Sequence, residues 1–578
     1  MIYDIIISIL PIIIPYIILG ENLANVLLGI SGIIYILFNS KYSNRLNKMF
    51  IYCTLGLIVT ALLSVCIIDN SVYAISGMSV YFNIFIYYIV FRIIVNKKNN
   101  INLIIEYIIK LSAIICCFSI IYEGIILDKR LVGNIGYANT YGLILLIMLF
   151  LSETIEFKYR DITKKVFILG IFLTSSRTTL AILILYTIYN FIISKFKDKN
   201  FILNIVEVIL YYLIIENFNV ATIFILPILI PIVSWLFNNI KVKSNKLVYG
   251  IILLVIILFL IIPNNSVKRI LNIFLENGSL QERLISFEDA ISAIRENALG
   301  LGINNYEFSH YKYATAFYDI KYLHNSILQV AYDIGVIGSI FYILIFILSN
   351  YLLIKSNIKY KNNYLFIVNA ILLHSMMDFD NVFSITTIMI SFCVSIIDYN
   401  KGLINLNTKL RFILILPMIV FIYCGIYEAS IKSGIGLEAT EKLPIKDYRV
   451  YLSLSDKEIE KYNEYKNIES LNKSKLNLEK AKKYSRENVT IIWNLAYVYE
   501  KLGDYSSAII NRDKVLELQG LYFDAYKEYF RMLNELYKKT DDKYYKHKIS
   551  ELEYKYYKNI DKLNFKSKYL KNQLQTKI

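Results

Sequence analysis

Cysteine is scarce and confined. All six cysteines (Cys53, Cys66, Cys116, Cys117, Cys393 and Cys424) lie within apolar runs. The polar stretches therefore have neither a disulfide framework nor a cysteine zinc site. No Gly-rich phosphate loop, nucleophile elbow, dinucleotide fingerprint or H-E-x-x-H occurs, which removes the short signatures of those chemistries. Only four histidines are present, at 310, 324, 374 and 547. His324, His374, Asp378 and Asp380 could assemble a metal site, but no short ligand spacing joins them, so neither a metal nor a cofactor is expected. Charged residues make up only 19% of the chain.

What is abundant is hydrocarbon-like sequence. Hydrophobic residues are 56% of the 578, with a mean hydropathy of +0.49, and no soluble domain could hide so many separate runs of bilayer-spanning length. The pattern predicts an all-α, polytopic membrane bundle over 1–430, with about fourteen or fifteen spans. The formal charge of +16 does not point to nucleic acid, because the lysines and arginines cluster in short loops such as KYSNRLNK (41–48) and KSNIKYK (355–361). Such loops report topology through the positive-inside rule. With fifteen spans the basic loops share one side, which predicts a cytoplasmic N-terminus. DKRLVGN (128–134), the SSR turn (175–177), the loop 264–326, MMDFDN (376–381) and the tail are then all external. The first apolar run lacks a basic n-region and a small-residue cleavage site, so it reads as a retained span.

The long polar interruption from Pro263 to Gly338 is out of place in such a chain. Ser279 followed by Glu282 is a capping box, and Leu284, Phe287, Ile291, Ile294 and Ala298 recur at helical spacing. This predicts an amphipathic helix over about 280–297, stopped by LGLG, with its stripe on the membrane surface or on other spans. The tail (438–578) is polar and helix-favouring. WNLAYVYEKLGDYSSAIINRDKVLEL (493–518) has the small-large alternation of a tetratricopeptide-like pair, with Ala496, Gly503, Tyr505 and Ala508 at the expected offsets. Ala481 and Val515 lie one 34-residue period apart. Such repeats bind protein partners or serve as structural caps.

Ionisable residues at membrane depth are functional candidates because their burial is costly. Arg177, in LTSSRTTL, offers bidentate phosphate recognition at headgroup level; the structural alternative is an arginine that snorkels to lipid. His324, in YLHNSILQ, could accept a hydroxyl proton near neutral pH, and Asn325 beside it could anchor substrate or backbone. His374 and Asp378 are one helical turn apart and are expected to share a face and hydrogen-bond. Glu106 and Lys110 read as a neutralised pair within one span, or as a proton relay.

LTSSRTTLAIL, ERLISFEDAISAIRENALGLGINNYEF and HNSILQVAYDIGVIGSIFY, with their spacing, resemble the O-antigen ligase and O-antigen polymerase superfamily. GNIGYANTYG (133–142) and LLHSMMDFD resemble its Gly-and-Asn element and its late His/Asp segment. The likeness covers about 130 to 400. It implies glycosyl transfer outside the cytoplasmic membrane, from a glycan on undecaprenyl pyrophosphate to a glycan, a lipid-linked core or a protein hydroxyl. By position Arg177 and Arg283 would hold the pyrophosphate and His324 would assist the acceptor. Arg130, Asn139, Asn325, His374 and Asp378 complete the expected substrate-binding set. Thr178 stands where the family has glycine and Phe287 where it has tryptophan; Arg295, Lys268 or Arg269 could replace Arg283. Two guanidiniums can stabilise a departing pyrophosphate without a metal.

Within this resemblance polymerase, ligase and protein O-oligosaccharyltransferase share these residues, and the repeat-like tail favours the last. A transporter or flippase of lipid-linked sugars would show an internal repeat of the bundle, which the sequence lacks. A scaffold whose tail recruits cell-wall enzymes is the non-catalytic alternative.

Overall fold

The structure is a computed structural model describing residues 1–42, 45–66, 71–97, 100–193, 200–218, 245–269, 278–316, 318–398 and 409–562, with 221–222, 230, 232–234 and 403–404. It is an all-α polytopic membrane protein. Among the described residues the strands are a single antiparallel pair, Leu46–Asn47 with Leu403–Ile404. Among the described residues seven helices are long and apolar enough to cross a membrane: Glu21–Tyr42, Lys48–Val65, Val72–Asn96, Ile101–Ile126, Phe201–Phe218, Ser326–Lys355 and Ile413–Ser433. The fourteen or fifteen expected crossings also included short apolar helices. Arg160–Thr174 and Lys361–Ser375 have 15 residues each, about 22 Å of helix against a hydrocarbon layer of about 30 Å. Most of the apolar run at 218–238 lies outside the described residues.

Val72–Asn96 is the central helix, with 89% of its apolar window buried. Glu21–Asn39, Lys48–Val65, Ser384–Ser395 and Lys409–Ser433 pack around it. Two polar side chains inside this core bridge its helices. Asn83 Nδ2 donates to Asn25 O and Ser384 Oγ, both at 2.8 Å. Arg92, 1% exposed, donates to the carbonyls of Ser395 and Ile397 at 2.7 and 2.8 Å. A cation there satisfies the orphan carbonyls and the negative end of the helix Ser384–Ser395. Ala138–Ser152 is apolar on every face and almost wholly buried, as a helix without a polar stripe must be.

Ser326–Lys355 is two helices joined at a break, where Ile334 and Gly335 leave helical geometry and Gly335 takes φ +82°. The broken backbone is completed by the 298–302 turn. Leu301 N donates to Tyr332 O (2.7 Å), Gly302 N to Asp333 O (3.1 Å) and Val336 N to Ala298 O (3.0 Å). A Cβ on Gly300 would lie 2.6 Å from Gly335 N, so LGLG and DIG are glycine-rich because two backbones touch there. The polar loop is thereby fastened to a membrane helix.

The expected amphipathic helix is present as Gly278–Glu296; the side chain of Ser279 lies outside the described residues. The face it packs on the protein differs from the expected stripe. Ile285, Asp289, Ala290 and Ala293 are buried, while Leu284 and Ile291 are exposed. Asp289 is the reason, since a buried carboxylate must be hydrogen-bonded. It accepts from Thr315 N (2.9 Å), Thr315 Oγ1 (2.8 Å) and Tyr318 OH (3.0 Å), tying the helix to the tyrosine-rich run.

The tail forms successive helices from Leu437–Glu441 to Lys543–Lys562. Val489–Lys501 and Tyr505–Leu518 are two helices packed on each other. Gly503 turns between them at φ +80°, and Ala496 and Ala508 are fully buried. Arg449 clamps the tail to the bundle. It reaches Glu428 Oε1 at 2.8 Å and Asp447 Oδ2 at 2.6 Å and lies 4.1 Å over the Tyr73 ring. Glu106 and Lys110 pair at 2.5 Å.

Candidate active site

At one end of the bundle five chain segments are linked, directly or through one another, to Asp378. The first is the helix Ala138–Ser152, entered through Tyr137 and Asn139. Tyr137 OH donates to Asp378 Oδ1 at 2.8 Å and Asn139 Nδ2 to Oδ2 at 2.7 Å. The second is the loop carrying Arg130, which begins where the helix from Ile101 ends in a π-helical turn, Ile120–Ile126. Glu123 on that turn accepts from Val132 N (2.8 Å) and Gly133 N (3.0 Å), folding the loop back. Arg130 Nε then donates to Thr174 O (2.8 Å) and Nη2 to Asn139 Oδ1 (3.1 Å).

The third is the SSR turn. Ser175 closes the helix Arg160–Thr174 in the left-handed region at φ +49°, an uncommon conformation for a side-chain-bearing residue, and Arg177 opens the next helix. The fourth is the helix Gly278–Glu296, whose Arg283 Nη1 donates to Met377 O (2.5 Å) while Nη2 lies 4.0 Å from Asp378 Oδ2. The fifth is the entry to Ser326–Lys355. His324 Nδ1 lies 3.2 Å from Asp378 Oδ1, and Ser326 binds the Asp378 carbonyl through N (3.0 Å) and Oγ (2.8 Å).

Burial alone would raise the Asp378 carboxyl. The hydrogen bond from His324 and the charges of His374, His324 and Arg283 outweigh it and hold the group at about 2. An ionised carboxylate only accepts, so His324 Nδ1 carries a proton toward it, and Nε2 is the nitrogen left to exchange one. Phe379, stacked on Tyr137 at 4.6 Å, also packs on the His324 ring at 5.2 Å.

The second feature is cationic. Arg269 and Arg177 act on Arg130, Arg283 acts on Arg177, and Arg177 and Arg283 act on Arg269. Burial and then Arg269 push the Arg130 guanidinium down to about 10; burial, Arg177 and Arg283 lower Arg269. Guanidiniums gathered closely enough to repel one another are an arrangement that an anion would relieve. Lys268 and Arg295 are exposed, which leaves Arg283 and Arg269 as the loop's contribution.

Residues 165–343 match the family model of the O-Antigen ligase. The chain thus carries, over those residues, a domain similar to the O-antigen ligase family. It is accordingly a membrane glycan-transferring enzyme. No curated protein matches it. The matched segment carries Arg177, Arg269, Arg283 and His324 but ends before Asp378 and begins after Arg130 and Asn139, so the constellation needs residues beyond it.

One expected arrangement is corrected, and Asn325 takes its backbone-anchoring alternative. His374 does not pair with Asp378: its Nδ1 bonds Asp380 Oδ2 at 2.7 Å, because the helix ends at Ser375 and the one-turn register does not extend to 378. Asp380 also accepts from Thr140 Oγ1 (2.9 Å) and Ser375 Oγ (3.2 Å), which gives His374, wholly buried, a structural setting. Asn325 is engaged on both sides. Its Oδ1 caps the helix at Leu328 N (3.0 Å) and its Nδ2 donates to Met376 O (3.0 Å). Reading the sequence missed Tyr137, whose only signal was its place in YANTYG. It also missed Glu282, which burial pushes up against the lowering charges of His324 and Arg283.

Proposed function

We propose that this protein transfers a glycan from undecaprenyl pyrophosphate to an acceptor hydroxyl on the outer face of the cytoplasmic membrane. The supporting observation is the meeting of an oriented His324–Asp378 pair with Arg130, Arg177, Arg269 and Arg283. In the proposed step His324 Nε2 takes the acceptor O–H proton as the oxygen attacks the anomeric carbon. The bond from that carbon to the pyrophosphate oxygen breaks, its electron pair leaves with the pyrophosphate, and the anomeric centre inverts. The guanidiniums stabilise the charge on the leaving group, without a metal in this scheme. Asp378 holds His324 in the required tautomer and steadies the imidazolium that forms. Lipid, glycan and protein hydroxyls all suit this chemistry. The tail, read as a tetratricopeptide-like domain open to a protein partner, keeps protein O-glycosylation among them.

The test is purified protein given an undecaprenyl-pyrophosphate oligosaccharide and, separately, the same repeat unit, a lipid core or a Ser/Thr peptide as acceptor. Release of undecaprenyl pyrophosphate that depends on one acceptor supports the reading and names the branch. Movement of intact donor across vesicle membranes without release contradicts it and favours a flippase.

A further inference from the structure

A second cavity, of about 1090 Å³, lies between the 301–315 segment of the polar loop and the tail. Asn304, Asn305, Phe308 and Tyr311 wall one side, and the tail's inter-helix turns at 485–489 and 517–521 wall the other; Tyr73 and Tyr448 also line it. The two sides are fastened together. Phe308 packs against Tyr448 and Tyr73 with ring centroids 6.0 and 6.3 Å apart, and Leu521 and Phe523 pack with Ile285, Ala316 and Tyr318.

Its chemistry is unlike that of the arginine cluster. The charged lining residues are Lys312, Arg486, Glu487 and Glu517, two of each sign, so an anion gains nothing from the net field. What dominates is aromatic rings beside side-chain amides. A sugar unit has apolar C–H faces that lie on aromatic rings and a hydroxyl edge that both donates and accepts, so this lining is complementary to it. The amide nitrogens of Asn304, Asn305 and Asn559 bind backbone carbonyls of Tyr73 (2.9 Å), Leu301 (2.7 Å) and Gly520 (2.9 Å), which aligns amide groups along the wall. Asn488 is different. It is 2% exposed, its Oδ1 caps Ile491 N at 3.3 Å, and its Nδ2 has no partner among the described residues. A buried donor left unpaired is costly unless a ligand supplies the acceptor.

We propose that this cavity binds the uncharged oligosaccharide part of a substrate, some sugar units away from the reacting bond. The proposal rests on the glycan-transfer reading. From Thr315 to His324 is nine residues of chain, which span at most about 30 Å, so the cavity lies within the reach of an oligosaccharide from the reacting bond. The amides of Asn304, Asn305 and Asn559 face a sugar's hydroxyl edge, and Tyr311 and Phe308 offer rings for its C–H face. The sugar chain can belong to the donor or to the acceptor, since the chemistry is the same.

The test uses full-length protein in detergent and oligosaccharides cut by mild acid from the source cells' own surface polysaccharide, free of lipid and pyrophosphate. Saturation-transfer NMR is expected to detect binding to the wild type. Phe308→Ala and Tyr311→Ala each remove a ring from the lining. Each is expected to weaken binding about tenfold. In the transfer assay the free oligosaccharide then competes with the acceptor or with the donor, which identifies the source. A wild type that transfers glycan but binds no free oligosaccharide overturns this inference and leaves the function intact, as do two variants that bind like the wild type. Peptides occupying the cavity in place of sugar also overturn it. Variant-sensitive binding in a protein that never releases undecaprenyl pyrophosphate supports the cavity and refutes the transfer reading instead.

Discussion

Replacing Asp378 by asparagine separates charge and tautomer control from shape. The wild-type carboxylate accepts from Tyr137 OH, Asn139 Nδ2, His324 Nδ1 and its neighbour's Phe379 N. An amide of the same outline has one accepting oxygen. If that oxygen stays with His324 and Tyr137, the new NH2 meets the Asn139 amide donor; if the amide flips, it meets His324 Nδ1, and the imidazole proton moves to Nε2, where the acceptor needs a lone pair. Either way the base is lost or misplaced, and a general base is worth about 10² to 10⁴ in rate, or about 2.7 to 5.5 kcal/mol of barrier at 1.36 kcal/mol per decade. The assay is undecaprenyl pyrophosphate release at saturating donor, with thermal unfolding in detergent as the folding control. The expected result is a fall in kcat of at least a hundredfold with donor KM changed far less. A folded Asp378→Asn protein that turns over within about threefold of wild type refutes the assignment of Asp378 to His324.

Other consequences follow from the same geometry. Because the folded Asp378 carboxyl lies near 2, below the unfolded value of about 3.9, its contribution to stability is complete above about pH 4 and is lost as pH falls toward 2; unfolding followed from pH 6 to 3 should show a smaller acid-induced loss in Asp378→Asn than in wild type. Arg130 is held down to about 10 by burial and its arginine neighbours, so a bound anion relieves repulsion. Inorganic pyrophosphate should raise the unfolding temperature of wild type more than that of Arg130→Gln, the difference shrinking in high salt. Gly335→Ala forces a Cβ to 2.7 Å from Ala298 O at φ +82°. It should destabilise the protein by about 2 kcal/mol or more, read as an earlier thermal transition. Arg449→Met leaves Glu428 and Asp447 buried without their cation, at a cost of about 3 to 5 kcal/mol, and should make the tail the first region cut in limited proteolysis.

The membrane bundle was legible because long apolar runs leave the chain no other solvent, and the polar loop because it interrupts them. The loop's helix was placed within two residues, but which of its residues pack on the protein was not legible. Periodicity ranks Leu284 and Ile291 by hydrophobicity and cannot know that Asp289 will be held by Thr315 and Tyr318. Likewise His374 and Asp378 look paired at four-residue spacing, but the helix stops at Ser375 and the two carboxylates divide: Asp380 to His374, Asp378 to His324. Tyr137 and Arg92 were invisible for a common reason. Their partners are 241 and more than 300 residues away, a separation that no local pattern encodes. The break at Gly335 was partly legible, since LGLG was read as a helix stop; its second function, pairing backbone with DIG, needed the fold.

The most direct measurement is single-turnover chemistry with donor already bound. Wild-type protein and His324→Ala are loaded with undecaprenyl-pyrophosphate oligosaccharide, binding is confirmed, acceptor is added, and free undecaprenyl pyrophosphate is followed in time. The account predicts prompt release from wild type, and donor that stays bound and uncleaved on His324→Ala. Release from His324→Ala at the wild-type rate would contradict it.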